Sequence, residues 1–167
     1  MLLGAGPVGA ESEAWWLRAT FEPRGLEVLG IPVRAIDSEW IAASPLTPDE
    51  LPPDAREPGF RIEDTELRLS IDGDFERDGK TDKALVGVYR TRSGAVGRFL
   101  LIASENFDGA WEKRAVFSDP GSPGFSALTY RGGEVQWWDC MLCGSYQAVV
   151  LQGGTFKLDP FGGNVSP

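Results

Sequence analysis

The chain has 167 residues, of which 42% are hydrophobic and 25% are charged, and this composition is ordinary for one globular domain. Its formal net charge of −9 repels phosphate groups and anionic lipids, so we expect no nucleic-acid binding and instead a protein partner with a basic surface. No stretch approaches the roughly 20 apolar residues of a membrane-spanning helix, so no membrane insertion is expected. Histidine is absent, which removes the commonest general base and the histidine ligands of metals and favours a non-catalytic protein.

The two ends of the chain are predicted to be tails around one domain. Residues 1–12 are predicted to be a flexible tail or the remnant of a signal peptide, because Leu2–Ala10 is apolar and small residues precede Glu11, although no basic segment comes before them. Residues 13–160 are predicted to form a single β-rich domain, and residues 161–167 a C-terminal tail. The apolar start and the acidic loop described below favour export to the periplasm or the extracellular space.

The first third of the chain is predicted to mix strands with short helices. Trp15–Phe21 and Leu26–Val33 have the alternation and composition of strands, with a turn between them. Asp37–Trp40 is predicted to open one helical turn. In Thr47–Glu50, a capping Thr, a Pro at the first helical position and a Glu three residues after the cap predict a helix, which the following prolines end quickly.

From Leu67 onward, short apolar segments alternate with turns that contain glycine. Ala84–Tyr89 is apolar without interruption, which favours a central strand. The predicted strands are Leu67–Ile71, Ala84–Tyr89, Arg98–Ala103, Lys113–Phe117, Phe125–Tyr130, Glu134–Trp138, Tyr146–Leu151 and Thr155–Leu158. We therefore predict a mainly β fold, a single domain of antiparallel meander, sandwich or propeller-blade-like sheets with one or two short helices.

The stretch from Asp72 to Asp82 has the spacing of a calcium-binding loop. Carboxylates occupy its alternate positions, at Asp74, Glu76, Asp78 and Asp82. Gly79 allows a sharp turn, and Lys80 is placed to offer its main-chain carbonyl. Carboxylates this close repel one another, and a hard cation that takes roughly six to eight oxygen ligands relieves the repulsion. We predict Ca2+ at this loop, with another divalent cation or a metal-free acidic turn as alternatives.

Asp74–Gly87 resembles the calcium loop and exit strand of FG-GAP/VCBS-type repeats, in which Asp-Phe-Asn-Gly-Asp-Gly-x-x-Asp precedes a short apolar strand that ends in Gly. The resemblance implies a structural calcium ion between two strands. Its implied ligands are the side chains of Asp74, Glu76, Asp78 and Asp82 and the backbone of Lys80. Glu76 stands where the family has Asn or Asp, and Asn106–Gly109 repeats only the first half of the motif, so the resemblance implies the ion site and not a closed propeller.

Cys140 and Cys143 are the two cysteines of the chain. Four interpretations apply: a disulfide at the tip of a β-hairpin, a redox pair, a shared zinc site, or free thiols. A redox pair needs a following helix where a strand is predicted, and zinc needs further ligands. The disulfide is favoured because the ends of a turn lie within disulfide reach. Closing a loop this small stabilises the fold by only about 2 kcal/mol.

Trp137 and Trp138 are adjacent on a predicted strand, so one side chain is expected to be buried and the other exposed. The same expectation holds for Trp15 and Trp16. An exposed indole among Trp137 and Trp138 is a candidate surface for a protein partner or a sugar, and the alternative is that it packs over the cysteine pair.

Two pairs of carboxylates, Glu105 with Asp108 and Glu134 with Asp139, are candidates for glycosidase chemistry that no motif supports. The sequence therefore favours a calcium-binding, non-catalytic exported β domain that acts through protein–protein interaction. Its acidity and size fit an inhibitor or immunity protein of a basic toxin or hydrolase. A carbohydrate-binding or carboxylate-based glycan-hydrolysing domain is the alternative.

Overall fold

The structure, a computed structural model, describes residues 14–159, and the predicted tails at residues 1–12 and 161–167 lie outside the described residues. The strands are β1 (Glu27–Val28), β2 (Ile31–Pro32), β3 (Trp40–Pro45), β4 (Ser70–Gly73), β5 (Asp82–Thr91), β6 (Val96–Glu105), β7 (Trp111–Pro120), β8 (Ala127–Arg131), β9 (Glu134–Trp138), β10 (Gln147–Gln152) and β11 (Thr155–Asp159). The helices are α1 (Trp15–Arg18), α2 (Val33–Ile36) and three 3-10 turns at Pro48–Glu50, Pro53–Arg56 and Ile62–Asp64. The predicted mainly β fold with antiparallel sheets and two short helices is confirmed.

The larger sheet has five strands, in the order β3-β5-β6-β7, with β4 beside β3 along the same edge of β5. β3 pairs with the second half of β5 and β4 pairs with the first half. β5 pairs with β6 over most of its length, starting with Asp82 opposite Ser104. β7 pairs with β6 through one β-bulge, at which Arg114 has no partner residue on β6.

The smaller sheet is a four-stranded meander, β8-β9-β10-β11. Its two-residue turns at Gly132–Gly133 and Gly153–Gly154 have positive φ at both positions, which glycine adopts without strain. Arg68, just before β4, exchanges backbone hydrogen bonds of 2.8 and 2.7 Å with Leu128 of β8. This bridge joins the two sheets at one edge.

The middle strands of the larger sheet, β5 and β6, are buried on both faces, which explains why they are apolar without alternation. On one face, alternate side chains pack in a core shared with the smaller sheet, among them Ala84, Val86, Val88, Leu100 and Ile102. On the other face, the intervening side chains pack against the β1–β2 hairpin and α2, together with inward side chains of the neighbouring strand β3, among them Leu85, Tyr89, Phe99 and Leu101. The β1–β2 hairpin and α2 therefore cover the second face of the sheet.

The strand predicted at Trp15–Phe21 is wrong, because this segment begins with one turn of helix, α1. Both Trp15 and Trp16 are buried, whereas a strand would have turned their side chains to opposite sides. The Trp15 ring packs edge-on against Phe125, with 4.9 Å between centroids, and its indole N–H donates to the Phe60 carbonyl at 2.9 Å. Contacts with distant residues thus override the local strand pattern.

Leu26–Val33 is not one strand either, because a turn with φ of 55° and 76° at its two central residues separates β1 from β2. The helical turn predicted at Asp37–Trp40 lies earlier, at α2. The short helix after Thr47 is confirmed as a 3-10 turn, in which the Glu50 carboxylate accepts the Thr47 backbone N–H at 3.1 Å.

The strands predicted from Leu67 onward are all present, although the first of them begins at Ser70. Ala84–Tyr89 lies within β5, in the interior of the larger sheet, as predicted. Among residues 14–159, no helix is long and apolar enough to span a membrane.

Gly87 of β5 is tightly enclosed: a Cβ added there would lie 2.4 Å from the Ser44 carbonyl oxygen and 2.5 Å from the Phe99 ring. We expect Gly87→Ala to lower the free energy of unfolding by about 1–3 kcal/mol, the usual range for overpacking a core. The control is Gly124→Ala, for which the nearest atom, Ser122 Oγ, would lie at 3.3 Å. Denaturant titration measures both variants, and an equal loss in the two would contradict the packing explanation.

Candidate functional site

The acidic loop, residues 74–81 between β4 and β5, is fixed by buried residues at both ends. Phe75 is buried and packs edge-on against Tyr130 of β8, with 5.1 Å between ring centroids. Asp82, the first residue of β5, has no exposed surface. A buried carboxylate is costly unless hydrogen bonds compensate for its lost hydration, so its partners determine the shape of the loop.

Asp82 accepts hydrogen bonds from three groups. The backbone N–H groups of Phe75 and Glu76 donate to its Oδ2 at 2.8 and 3.0 Å. The Ser104 hydroxyl of β6 donates to its Oδ1. Both oxygens are therefore engaged by donors of the protein itself, and they hold the loop against the start of β5.

Glu76 forms an ion pair with Arg114 of β7. The guanidinium Nε and Nη2 donate to Oε1 at 2.9 and 2.8 Å, and the Glu76 side chain is only 12% exposed. Arg114 is the residue at the β-bulge, a feature that re-aims side chains. The hydrogen bond with Glu76 raises the pKa of Arg114, and the charges of Asp82 and Asp78 add to this effect. Arg114 thus supplies a permanent positive charge beside the loop carboxylates.

Asp74 and Asp78 shape the outer part of the loop. The Asp74 carboxylate accepts the backbone N–H groups of Asp78 and Gly79, both at 2.9 Å, and Asp78 accepts the N–H of Lys80 at 2.9 Å. Gly79 has a φ of 82°, which fits the sharp turn predicted for this position. The Lys80 side chain is exposed, with Nζ 3.8 Å from the Asp78 carboxylate. These carboxylates cap backbone N–H groups, as acidic turn residues do.

In this arrangement the loop carboxylates accept hydrogen bonds from N–H, O–H and guanidinium donors. Calcium needs roughly six to eight oxygens around one point. Between residues 14 and 159, no group of three or more acidic or cysteine side chains is arranged to hold a metal ion. Calcium at Asp74, Glu76, Asp78, Lys80 and Asp82 stays a prediction, and it would require Arg114 to leave Glu76.

A fully exposed phenylalanine, Phe107, lies at the tip of the β6–β7 hairpin. The Asn106 side-chain oxygen accepts the backbone N–H groups of Asp108 and Ala110 at 2.9 and 3.0 Å, which holds the turn in one shape. An open depression of about 350 Å³ lies between this tip and the acidic loop. Its lining residues are Lys80, Thr81, Glu105, Asn106 and Phe107.

A second concave site, the indole cavity, lies at the other end of β6, where the larger sheet meets the β9–β10 connection. Its volume is about 230 Å³, and its lining residues are Arg98, Asp119, Trp137, Trp138, Asp139, Ser145, Tyr146 and Gln147. Arg98 of β6 pairs with Asp119 of β7 and donates through Nη1 to the Phe125 carbonyl at 3.2 Å. Trp138 donates its indole N–H to the Thr129 hydroxyl at 3.0 Å. The cavity thus combines aromatic rings with an ion pair.

Neither Trp137 nor Trp138, the candidates for a partner surface, is fully exposed. Trp137 is buried, with 6% exposure, and Trp138 is half-buried. Both line the indole cavity, where Trp138 packs against Tyr146 with 4.8 Å between ring centroids. They therefore contribute the wall of a concave site.

Cys140 and Cys143 form the favoured disulfide, with 5.6 Å between their Cα atoms, in the connection between β9 and β10. The same connection supplies Asp139, Ser145 and Tyr146 to the indole cavity. The bond therefore constrains the loop that forms one wall of this cavity.

One of the carboxylate pairs considered for glycoside hydrolysis is not brought together. Glu134 begins β9 and Asp139 follows its last residue, so about 16 Å of extended strand separates them. Glycosidase carboxylates lie roughly 5–9.5 Å apart. Glu105 and Asp108 are both exposed and flank the phenylalanine at the β6–β7 tip.

Several residues of these sites were not identified from the sequence. They are Arg98, Ser104, Arg114, Asp119 and Tyr146. Arg114 meets Glu76 across 38 residues of chain, and Ser104 meets Asp82 across 22, so no local spacing signals either contact. Arg98, a basic residue at the start of the apolar stretch of β6, is the one local signal in the sequence that could have indicated one of these site residues.

These features define a class: a mainly β protein of two packed antiparallel sheets, with an ordered acidic loop and a disulfide-closed connection. No protein-family model, no curated protein and no solved structure matches the chain. The resemblance of Asp74–Gly87 to FG-GAP/VCBS-type repeats therefore stays a prediction.

Competition between Arg114 and a cation for Glu76 can be measured through the melting midpoint. We expect Arg114→Gln to show a larger rise in melting midpoint between chelator and calcium than the natural chain, because the variant lacks the competing charge. Calcium at about 100 times its dissociation constant adds about 2.7 kcal/mol to stability by linkage. Calorimetric melting curves of both proteins give the comparison.

The matched control adds Asp74→Asn and Asp78→Asn to the Arg114→Gln background, which should abolish the calcium-dependent rise. Equal rises with and without the guanidinium would show that Arg114 does not compete. The absence of any rise in either protein would remove calcium from the loop.

Proposed function

We propose that this chain is a non-catalytic β protein that acts by binding a protein partner, and that the tip of the β6–β7 hairpin is the contact. The observation that carries the proposal is the full exposure of Phe107 on a turn held by side-chain hydrogen bonds. An exposed phenylalanine adds nothing to the core, whereas aromatic side chains dominate the centres of protein interfaces. A turn that is already ordered loses little entropy on binding.

The charge around the tip supports a basic partner. Glu105, Asp108 and Glu112 are exposed near the end of the hairpin, and Glu112 accepts a hydrogen bond from the Asn106 side-chain amide at 2.9 Å. The formal net charge of −9 adds long-range attraction for such a partner. The proposed partner carries a basic surface around an apolar pocket that receives Phe107. This arrangement suits an inhibitor or immunity protein of a basic toxin or hydrolase.

Phe107→Ser is the direct test of the contact. We expect it to weaken binding of the partner, isolated on the immobilised natural chain, by at least about tenfold, because a central aromatic anchor is lost. The melting midpoint should not fall, since the side chain is fully exposed. Surface plasmon resonance at increasing salt measures the affinity, which should decrease as salt screens the acidic tip.

Leu142→Ser is the matched control, because Leu142 is also exposed, at 73%, but lies in the β9–β10 connection. The affinity of the Leu142→Ser variant for the partner should equal that of the natural chain. Equal binding by the Phe107→Ser variant, or equal losses in both variants, would overturn the contact at the β6–β7 tip.

We also propose that the protein works in the periplasm or the extracellular space. The disulfide between Cys140 and Cys143 supports this, because disulfides persist in oxidising compartments and are rare where glutathione keeps thiols reduced.

Rapid alkylation of intact source cells tests the compartment. Because both cysteines are bonded to each other, we expect no alkylated thiol in this chain before reduction and two after it. The measurement is intact-protein mass spectrometry. Alkylation of both cysteines without reductant would contradict an oxidising compartment.

A further inference from the structure

Two buried hydrogen-bond donors, on residues that line the indole cavity, have no acceptor among residues 14–159. The Nε of Arg98 and the indole Nε1 of Trp137 are buried, and neither has a hydrogen-bond partner among the described residues. Both residues line the cavity, and Trp137 is more than nine-tenths buried. Buried donors are ordinarily paired with an oxygen of the protein, of water or of a ligand, so an unpaired couple on two residues of one cavity marks a place that needs oxygen acceptors from outside the chain.

The charges of the cavity exclude an anion as that ligand. The guanidinium of Arg98 is already paired with Asp119, and Asp139 adds a second carboxylate. A carboxylate or phosphate ligand would enter beside an excess of negative charge. The carboxylates, together with Ser145 and Gln147, can accept hydrogen bonds. The cavity therefore suits a neutral molecule that both donates and accepts through hydroxyl groups.

The remaining wall is aromatic. Trp138 and Tyr146 pack at an interplanar angle of 42°, and the hydrogen bond from Trp138 to Thr129 fixes the indole. Rings of this kind offer apolar faces to the C–H groups of a ligand while polar groups orient it. The disulfide-closed connection holds Tyr146 in place.

The volume limits the size of the ligand. At about 230 Å³, the cavity is smaller than the roughly 300–1,000 Å³ of sites for drug-sized ligands. We propose that the indole cavity binds one neutral sugar ring, with ring hydroxyls or an acetamido oxygen accepting from Arg98 Nε and Trp137 Nε1 and C–H groups facing Trp138 and Tyr146. Sugar binding here goes beyond the proposed protein contact, because Arg98 and the β6–β7 tip lie at opposite ends of β6.

Titration of the full chain with methyl pyranosides tests the proposal. The probes are neutral methyl glycosides, the N-acetyl form of one of them, and a methyl glucuronide as the anionic comparison. Isothermal titration calorimetry gives affinities, and the indole N–H resonances of isotope-labelled protein report the site. We expect at least one neutral ring to bind and to shift the Trp137 indole signal, and the anionic ring to bind at least about tenfold more weakly.

Trp137→Phe removes the indole N–H and keeps an aromatic ring, and Tyr146→Ala removes part of the wall. Each substitution should weaken binding of the neutral sugar by at least about tenfold. This is the loss of affinity expected when one hydrogen bond or one stacking contact is removed. The controls are Trp111→Phe and Tyr130→Ala, since neither residue lines the cavity. Both controls should bind as the natural chain does.

Three results would overturn the proposal: no neutral ring binds, the anionic ring binds better, or Trp137→Phe and Tyr146→Ala bind as tightly as their controls. The Phe107→Ser variant should bind the sugars as the natural chain does, even where it loses partner binding. Failure of one proposal therefore does not imply failure of the other. Near-ultraviolet circular dichroism of each variant confirms that a lost affinity is not a lost fold.

Discussion

Asp82 carries a fully buried carboxylate at the start of β5, and the acidic loop takes its shape from the donors that this carboxylate needs. Without partners, such a charge would destabilise the fold strongly, so the backbone N–H groups of Phe75 and Glu76 and the Ser104 hydroxyl are held at fixed positions. Phe75 is thereby held against β8 and Glu76 is turned toward β7. One buried charge thus connects the loop to both sheets.

Arg114 shows why the spacing of carboxylates predicts a turn more firmly than it predicts an ion. Alternating carboxylates around Gly79 cap the N–H groups of a tight loop, and this geometry is the same whether a metal or a guanidinium provides the positive charge. A guanidinium is always charged, and the β-bulge places it beside Glu76. The bulge depends on pairing with β6, so no pattern within residues 72–82 could have revealed it.

The strands of the second half were predictable because local pattern and burial agree there. Ala84–Tyr89 is continuously apolar because the sheet is covered on both faces, and glycine pairs mark the turns of the smaller sheet. The elements between Trp15 and Pro45 were not predictable, because Trp15 and Trp40 are placed by distant rings: Trp15 meets Phe125, and Trp40 stacks on Tyr89 with 4.5 Å between centroids. Segments that serve as a cover take the conformation that the covered surface requires. The same holds for the indole cavity, whose lining comes from two sheets.

The middle strands of the larger sheet, β5 and β6, are buried on both faces and present little besides their ends to other molecules. The long β6–β7 hairpin has two such ends, and a departure from the apolar pattern marks each of them. Arg98 places a charge at the head of a buried strand, where only a cavity and an acidic partner can accommodate it. Phe107 places an apolar ring in water, where it stabilises nothing within the fold. Both residues are unfavourable for folding alone, which is why these two ends are where binding is to be sought.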